Sequence, residues 1–228
     1  MKETKTENKQ VVEAVDFLTK AEAFLNANKK TILIALGAVV VVVVAFFAIK
    51  KWYVEPREQQ AAEEMFAAEN FFMASDYEKA LNGDETTNTL GFIDIIDEYG
   101  STKTGNLAYY YAGVCEFHLG KYEDAIDHLK EYTGRDTFTK GEAIMIQGDA
   151  EFQLGNIDKA LNLFLKAAKV SDNDIVAPTA LYKAGMAYMS LKEYDKAAAT
   201  FEEIKEKYPN STESRGVDEY IGYAETAK

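Results

Sequence analysis

The sequence is poor in cysteine, histidine and proline, with one, two and three of them in 228 residues. A single cysteine excludes an internal disulfide framework and a multi-cysteine zinc site. Two histidines argue against a histidine-based metal site. Basic residues are also scarce, because 25 Lys and Arg face 38 Asp and Glu. Since phosphate binding requires a basic surface, the net charge of −13 argues against nucleic acid as a partner.

One long stretch, Ile32 to Ile49, carries no charge over 18 residues, and 13 of these are Ile, Leu, Val or Phe. A helix of this length spans ~27 Å, close to the hydrocarbon thickness of a bilayer. Its flanks hold lysines and interfacial aromatics, namely Lys29, Lys30, Lys50, Lys51, Trp52 and Tyr53. The pattern predicts a single transmembrane helix at residues 31–51.

Two other interpretations of this stretch are a buried strand and a cleaved signal peptide. A buried strand seldom exceeds about ten residues. A signal peptide ends in a small-residue cleavage site, whereas this run ends in Lys50-Lys51-Trp52. The lysines close to the two ends of the span are balanced, but further lysines in the tail favour a cytoplasmic N-terminus. We therefore expect the C-terminal body on the outer side.

The tail at residues 1–30 contains a helical pattern at about residues 11–30. Val11, Val15, Leu18 and Leu25 recur at helical spacing and share one face. The pattern predicts an amphipathic helix that lies on the membrane or docks on a partner. An N-terminal extension of the membrane helix explains the same pattern.

The body after the span is strongly acidic and repetitive. Residues 50–228 hold 19 basic and 33 acidic residues. Three windows share a Gly and an Ala 12 residues apart, followed four residues later by Leu or Phe, and they recur after 35 and 37 residues. The sets are Gly113, Ala125 and Leu129, then Gly148, Ala160 and Phe164, then Gly185, Ala197 and Phe201. Small residues at this spacing let two antiparallel helices approach closely while the large side chain fills the space beside them.

This pattern resembles the tetratricopeptide repeat over residues 106–209. Gly120 and Gly155 suit the left-handed residue that ends a first helix, and Pro178 suits the first turn of the third repeat. The third repeat departs from the pattern at Lys192, where Gly is usual. The Trp common near the start of a repeat is also absent. Together with the apolar run, the resemblance predicts an all-α chain, in which a single N-terminal transmembrane helix precedes a tetratricopeptide-repeat α-solenoid.

The repeats are flanked by less regular segments. Residues 55–100 predict a divergent helical hairpin, with a first helix at Arg57 to Ser75 and a second at Leu90 to Tyr99. A capping helix is predicted at residues 210–228, because the last repeat would otherwise leave its apolar face open to water.

No motif of an enzyme is present. The sequence lacks a Gly-rich phosphate loop, a Ser nucleophile elbow and His-Glu-x-x-His. Cys115 and His118 lie three residues apart, and we interpret them as a packed thiol and an ordinary histidine. We therefore expect no enzyme, no cofactor, no metal and no small-molecule substrate.

We then expect the protein to bind other proteins through the first helices of its repeats. An apolar, aromatic and methionine-rich stripe is predicted to face the inner surface of the stack. It comprises Tyr110, Val114, Phe117 and His118, then Met145, Asp149 and Phe152, then Tyr182, Met186 and Met189. The alternative is that several of these pack between repeats or under the capping helix. The basic and Asn residues with which some repeats clamp a peptide carboxylate are missing.

The layout of the whole chain resembles the YfgM family of bacterial inner-membrane proteins. The similarity includes Val12-Glu13-Ala14-Val15 and Phe17 in the tail. The segment Leu-Gly-Phe-Ile-Asp-Ile-Ile-Asp-Glu-Tyr-Gly at residues 90–100 is similar to tetratricopeptide proteins of Bacteroidetes-type bacteria. The resemblance implies an ancillary subunit of the SecYEG translocon, with partners such as a PpiD-like periplasmic chaperone or translocating chains. It also implies a single-pass inner-membrane protein with a periplasmic repeat domain. The alternative is a structural or regulatory scaffold of another cell-envelope complex.

Overall fold

The computed structural model describes residues 18–20 and 22–227 and divides the chain into two compact units. The first unit ends at Glu55, and the second runs from Pro56 to the C-terminus. Within the described residues the backbone is helical throughout, apart from loops and one isolated bridge between Asp84 and Thr89.

The first unit contains helix α1, Lys29–Ile49, followed by a π-helical turn, Lys50–Val54. Most hydrophobic side chains of α1 are exposed, with Val41 and Val42 each 68% accessible. By length and composition this helix can cross a membrane. Residues 18–20 and 22–27 are helical and expose Leu18 and Leu25. The remainder of the predicted tail helix, including Val11 and Val15, lies outside the described residues.

The second unit is a series of ten α-helices within its described residues. They are α2 (Glu55–Met73, which begins at the unit boundary), α3 (Tyr77–Asn82), α4 (Phe92–Tyr99), α5 (Lys103–His118), α6 (Tyr122–Glu131), α7 (Thr137–Gln153), α8 (Ile157–Val170), α9 (Val176–Ser190), α10 (Tyr194–Lys207) and α11 (Val217–Thr226). Helices α5/α6, α7/α8 and α9/α10 form three consecutive hairpins, and each hairpin packs on the next. This confirms the predicted all-α repeat solenoid.

The small residues of the sequence repeat lie where the two helices of a hairpin meet. A Cβ atom at Gly148 would lie 2.6 Å from a ring carbon of Phe164. Ala160 and Phe164 of α8 are themselves buried. Gly113 faces Leu129, and Gly185 faces Phe201, in the same manner. Burying one Phe or Leu side chain contributes about 1.5–3 kcal/mol, so these contacts form the core of each hairpin.

The turn inside each hairpin repeats the same backbone geometry. Gly120, Gly155 and Lys192 have positive φ angles of 75°, 79° and 61°. In each turn the left-handed residue donates its N–H to the carbonyl three residues earlier. The next residue donates to the carbonyl five positions before it, and these distances are 2.8–3.1 Å. Lys192 thus occupies the left-handed conformation that Gly adopts in the other two repeats.

Helices α2 and α3 have the same turn and form a fourth hairpin that sequence analysis did not assign to a repeat. Ser75 has φ 59° and makes the same pair of hydrogen bonds. Ala68 and Ala80, 12 residues apart, are fully buried in place of the Gly and Ala of the later repeats. A loop at residues 83–91 then separates α3 from α4. The segment at 76–100 is therefore two short helices, whereas the sequence predicted one helix at residues 90–99.

The C-terminal end of the solenoid is covered by α11, as the fold prediction required. Val217 and Ala224 are fully buried, and α11 packs along α10. The ring of Tyr220 contacts both Phe201 and Tyr182, at centroid distances of 5.4 and 5.5 Å. The helix therefore fills the position that the first helix of another repeat would occupy.

Candidate protein-binding surface

The ten residues predicted to bind a partner occupy equivalent positions on the first helices α5, α7 and α9. Counted from the Gly of each repeat, they stand three residues before it and one, four or five residues after it. Neighbouring first helices contact one another, so these positions form a continuous inner surface. The term inner surface refers below to the surface formed by those ten residues.

Exposure divides the inner surface into accessible and packed positions. Phe152, at 36% accessible, and His118 are exposed. Val114 is buried, with only 7% of its area accessible, and therefore belongs to the packing of the repeats. The others are half-buried, namely Tyr110, Phe117, Met145, Asp149, Tyr182, Met186 and Met189.

Polar side chains on the inner surface connect one repeat to the next. The Tyr110 hydroxyl donates to Glu142 at 3.2 Å, and Lys183 Nζ lies 2.8 Å from an Asp149 carboxylate oxygen. Burial raises the pKa of Tyr110, and burial also raises the pKa of Asp149, although Lys183 opposes that rise. Because these groups already bond to one another, they fix the spacing of the first helices.

Two further predicted positions contact helices outside the three first helices. The Tyr182 hydroxyl donates to the Tyr220 hydroxyl of α11 at 2.9 Å. Burial, together with this hydrogen bond, raises the pKa of Tyr182 to about 12. The ring of His118 stacks on Tyr77 of α3, with centroids 4.3 Å apart and planes 4° from parallel. Tyr182 and His118 are therefore also packing residues, at opposite ends of the surface.

The structure also brings together a polar pair that the sequence analysis missed. Glu116 of α5 is buried, and its carboxylate lies 2.7 Å from Nδ1 of His128 on α6. The hydrogen bond and the charge of Glu116 raise the pKa of His128, while burial lowers it. The sequence carried one sign of this pair, because a Glu recurs at the same position of the next repeat. That residue, Glu151, is also buried and accepts a hydrogen bond from Asn156 at 2.8 Å.

No metal site is found in the part of the chain that the structure describes. Among those residues, no group of three or more His, Cys, Asp or Glu is placed to hold a metal ion. Cys115 is fully buried, and burial raises its pKa to about 12. The Cys115 side chain is therefore a packed, neutral thiol at physiological pH.

Comparisons with known proteins agree with this geometry. Residues 104–138 and residues 179–211 each match a family described as tetratricopeptide repeat. No curated protein resembles the chain closely enough to count as a relative.

Two solved structures have a similar fold. A crystal structure of MamA protein has 21% identity and a TM-score of 0.57, with 73% of this chain and 81% of that chain covered. A second crystal structure of MamA has 22% identity and a TM-score of 0.51, with 70% and 91% covered. The chain therefore carries tetratricopeptide repeats and folds, after its apolar helix, as an α-solenoid of the tetratricopeptide type.

Proposed function

We propose that this protein is a membrane-anchored scaffold that binds protein partners through the inner surface and that it is not an enzyme. The observation that carries the proposal is the row of half-buried and exposed apolar side chains on three successive first helices. Its members are exposed Phe152 and half-buried Phe117, Met145, Met186 and Met189. Aromatic and thioether side chains adapt to partners of varied shape, which suits recognition of an apolar segment.

The membrane anchor in this proposal is α1. Thirteen apolar residues of the Ile, Leu, Val and Phe type contribute about −4 to −8 kcal/mol to insertion, and no charge within the run opposes them. An anchor confines the repeat unit to a thin layer beside the bilayer. Because this raises the local concentration of any membrane-bound partner, weak contacts at the inner surface suffice.

The finer form of the proposal is an accessory subunit of the SecYEG translocon. It rests on the resemblance to the YfgM family, with the N-terminus in the cytoplasm and the repeat unit in the periplasm of a bacterial inner membrane. The partners would be SecYEG, a PpiD-like chaperone and emerging chains. The second candidate is a scaffold subunit of another cell-envelope complex, which the same inner surface would serve equally well.

Co-purification from membranes solubilised in mild detergent separates the two candidates. Retention of SecY supports the translocon role, whereas absence of SecY together with enrichment of another complex contradicts it. Phe152→Glu should weaken capture of the partner because it places a charge on the inner surface. Ile175→Glu is the matched control, since Ile175 is 65% accessible in the loop before α9. Equal capture by both variants would contradict binding by the inner surface.

A further inference from the structure

The two ends of the solenoid differ in how far their apolar side chains are covered. At the C-terminal end, α11 covers the last hairpin and presents the acidic residues Asp218, Glu219 and Glu225 to solvent. At the other end, the first helix α2 buries Ala61, Met65 and Ala68 on one face. The opposite face of α2 retains exposed Phe66 and Met73, which are 64% and 73% accessible.

Phe66 and Met73 lie on one stripe of α2. Seven residues correspond to nearly two helical turns, so the two side chains point the same way and stand ~10 Å apart along the axis. The same stripe holds Gln59, Ala62, Glu63 and Asn70, all exposed, with half-buried Glu69 at its edge. We call this set, from Gln59 to Met73, the α2 outer stripe.

The surroundings of the α2 outer stripe are strongly acidic. Residues 56–100 contain eleven Asp and Glu but only two basic residues, Arg57 and Lys79. Both basic side chains are engaged within the hairpin. Arg57 donates to the carbonyl of Glu98 and lies over the ring of Tyr99, while Lys79 pairs with Asp84 at 3.0 Å. The negative field around the stripe is therefore not balanced locally.

We propose that the α2 outer stripe binds a basic amphipathic helix of a partner protein. Phe66 and Met73 would contact the apolar face of that helix, and the carboxylates of Glu63 and Glu69 would pair with its Lys or Arg side chains. This site is separate from the inner surface, and it stands whether or not the inner surface binds a translocon component.

Charge argues against a second copy of this chain as the occupant. If two copies paired face to face, Glu63 and Glu69 of one stripe would meet the same residues of the other. If copies stacked head to tail, the stripe would meet Glu219 and Glu225 of α11, since Asp218 is already paired with Lys205. Both arrangements place like charges together, which disfavours association. A basic amphipathic helix would supply both the apolar contacts and the charge opposite to that of the stripe.

The test uses the full chain in nanodiscs of phosphatidylcholine, which has no net charge. The probe is a synthetic 18-residue amphipathic helix of Leu and Lys. A fluorophore on Ala74→Cys reports binding, since Ala74 is exposed beside Met73 and the only native thiol, Cys115, is buried. We expect saturable binding that weakens as salt is added. The corresponding Leu and Glu peptide should not bind.

Variants identify the site. The double variant Phe66→Ser/Met73→Ser should weaken peptide binding by about tenfold or more, because two apolar contacts are lost. Ile175→Ser, which removes an equally exposed apolar side chain elsewhere, should bind as the unmodified chain does. Phe152→Ser, which removes an apolar side chain of the inner surface without adding a charge, should also keep the peptide. The double variant should keep its melting temperature because both side chains are exposed.

Three results would overturn the proposal. One is equal binding by the double variant and the unmodified chain. Another is loss of binding in Phe152→Ser, which would place the peptide on the inner surface. The last is a concentration-dependent dimer of the unmodified chain that the double variant abolishes, because the occupant would then be a second copy.

Discussion

Nδ1 of His128 on α6 lies 2.7 Å from the carboxylate of buried Glu116 on α5, so the two residues join the helices of one hairpin. Glu116 raises the pKa of His128 by hydrogen bonding and by charge, and Asp124 and Asp127 add to the rise while burial opposes it. The folded pKa therefore stands above the usual value of about 6.5. The pair stabilises the fold fully below pH ~6.5, and this contribution is lost as pH rises through the folded pKa of His128.

The first prediction follows from this pair. His128→Gln should lower the free energy of unfolding by about 1–3 kcal/mol at pH 6, because Glu116 loses its charged partner. At pH values above the folded pKa of His128 the difference should shrink. Melting temperatures of both proteins between pH 5.5 and 8.5 measure the effect. Glu116→Gln should flatten the same profile, and a profile of unchanged slope in either variant would contradict the assignment.

The second prediction concerns the close approach inside each hairpin. Gly148→Ala places a methyl group 2.6 Å from the ring of Phe164 and should cost about 1–3 kcal/mol. Gly222→Ala is the control, because a Cβ atom at Gly222 in α11 meets nothing within 4 Å. There Ala should be neutral or stabilising by up to about 1 kcal/mol. Chemical unfolding compares the two, and equal stabilities would refute the packing role of Gly148.

The third prediction concerns the left-handed residues of the turns. Lys192→Gly and Ser75→Gly should each stabilise the fold by about 0.5–1 kcal/mol, because a side chain at positive φ is strained. The reverse change, Gly155→Ala at φ 79°, should destabilise by a similar amount. Melting temperatures should therefore move in opposite directions. A fall in Lys192→Gly would show that its side chain contributes more than the backbone strain costs.

The sequence predicted the regular part of this fold well. The Gly and Ala pairs from Gly113 to Ala197 identify three hairpins, because a close helix approach leaves room only for small side chains. The left-handed conformation predicted at Gly120 and Gly155 is confirmed.

The hairpin of α2 and α3 was harder to recognise for two physical reasons. Ser75 replaces the Gly that usually marks the turn, and the loop at residues 83–91 interrupts the second helix before its large core residue. The remaining signal was Tyr77-Glu78-Lys79-Ala80, which resembles Tyr122-Glu123-Asp124-Ala125 of the next hairpin. This segment follows a helical stretch, as the matching segment of the next hairpin does.

Only part of the inner surface could be predicted from spacing. Helical spacing identifies which residues share a face, and the ten predicted positions do lie at equivalent places on α5, α7 and α9. It does not show which of them neighbouring elements cover. Val114 is buried, Tyr182 bonds to Tyr220 of α11, and His118 stacks on Tyr77. These contacts join residues 38 and 41 positions apart, and a single repeat does not reveal them.

The fourth prediction tests the anchor. Val41→Arg/Val43→Arg places two charges near the middle of α1, each costing about 2.5–3.5 kcal/mol on an insertion scale. The variant should leave the membrane fraction when membranes are washed with alkaline carbonate. Val41→Leu/Val43→Leu should remain. If the unmodified chain is itself extracted by carbonate, α1 is not a membrane anchor.

The central claim is that the protein works by holding a polypeptide partner on the inner surface of its repeats. Photo-crosslinking in intact membranes tests it most directly, with one photoreactive residue at Phe152 and another at the exposed Asn162 of α8. The account predicts a discrete adduct with another protein from position 152 and none from position 162. Adducts of equal yield from both positions, or none from position 152, would contradict it.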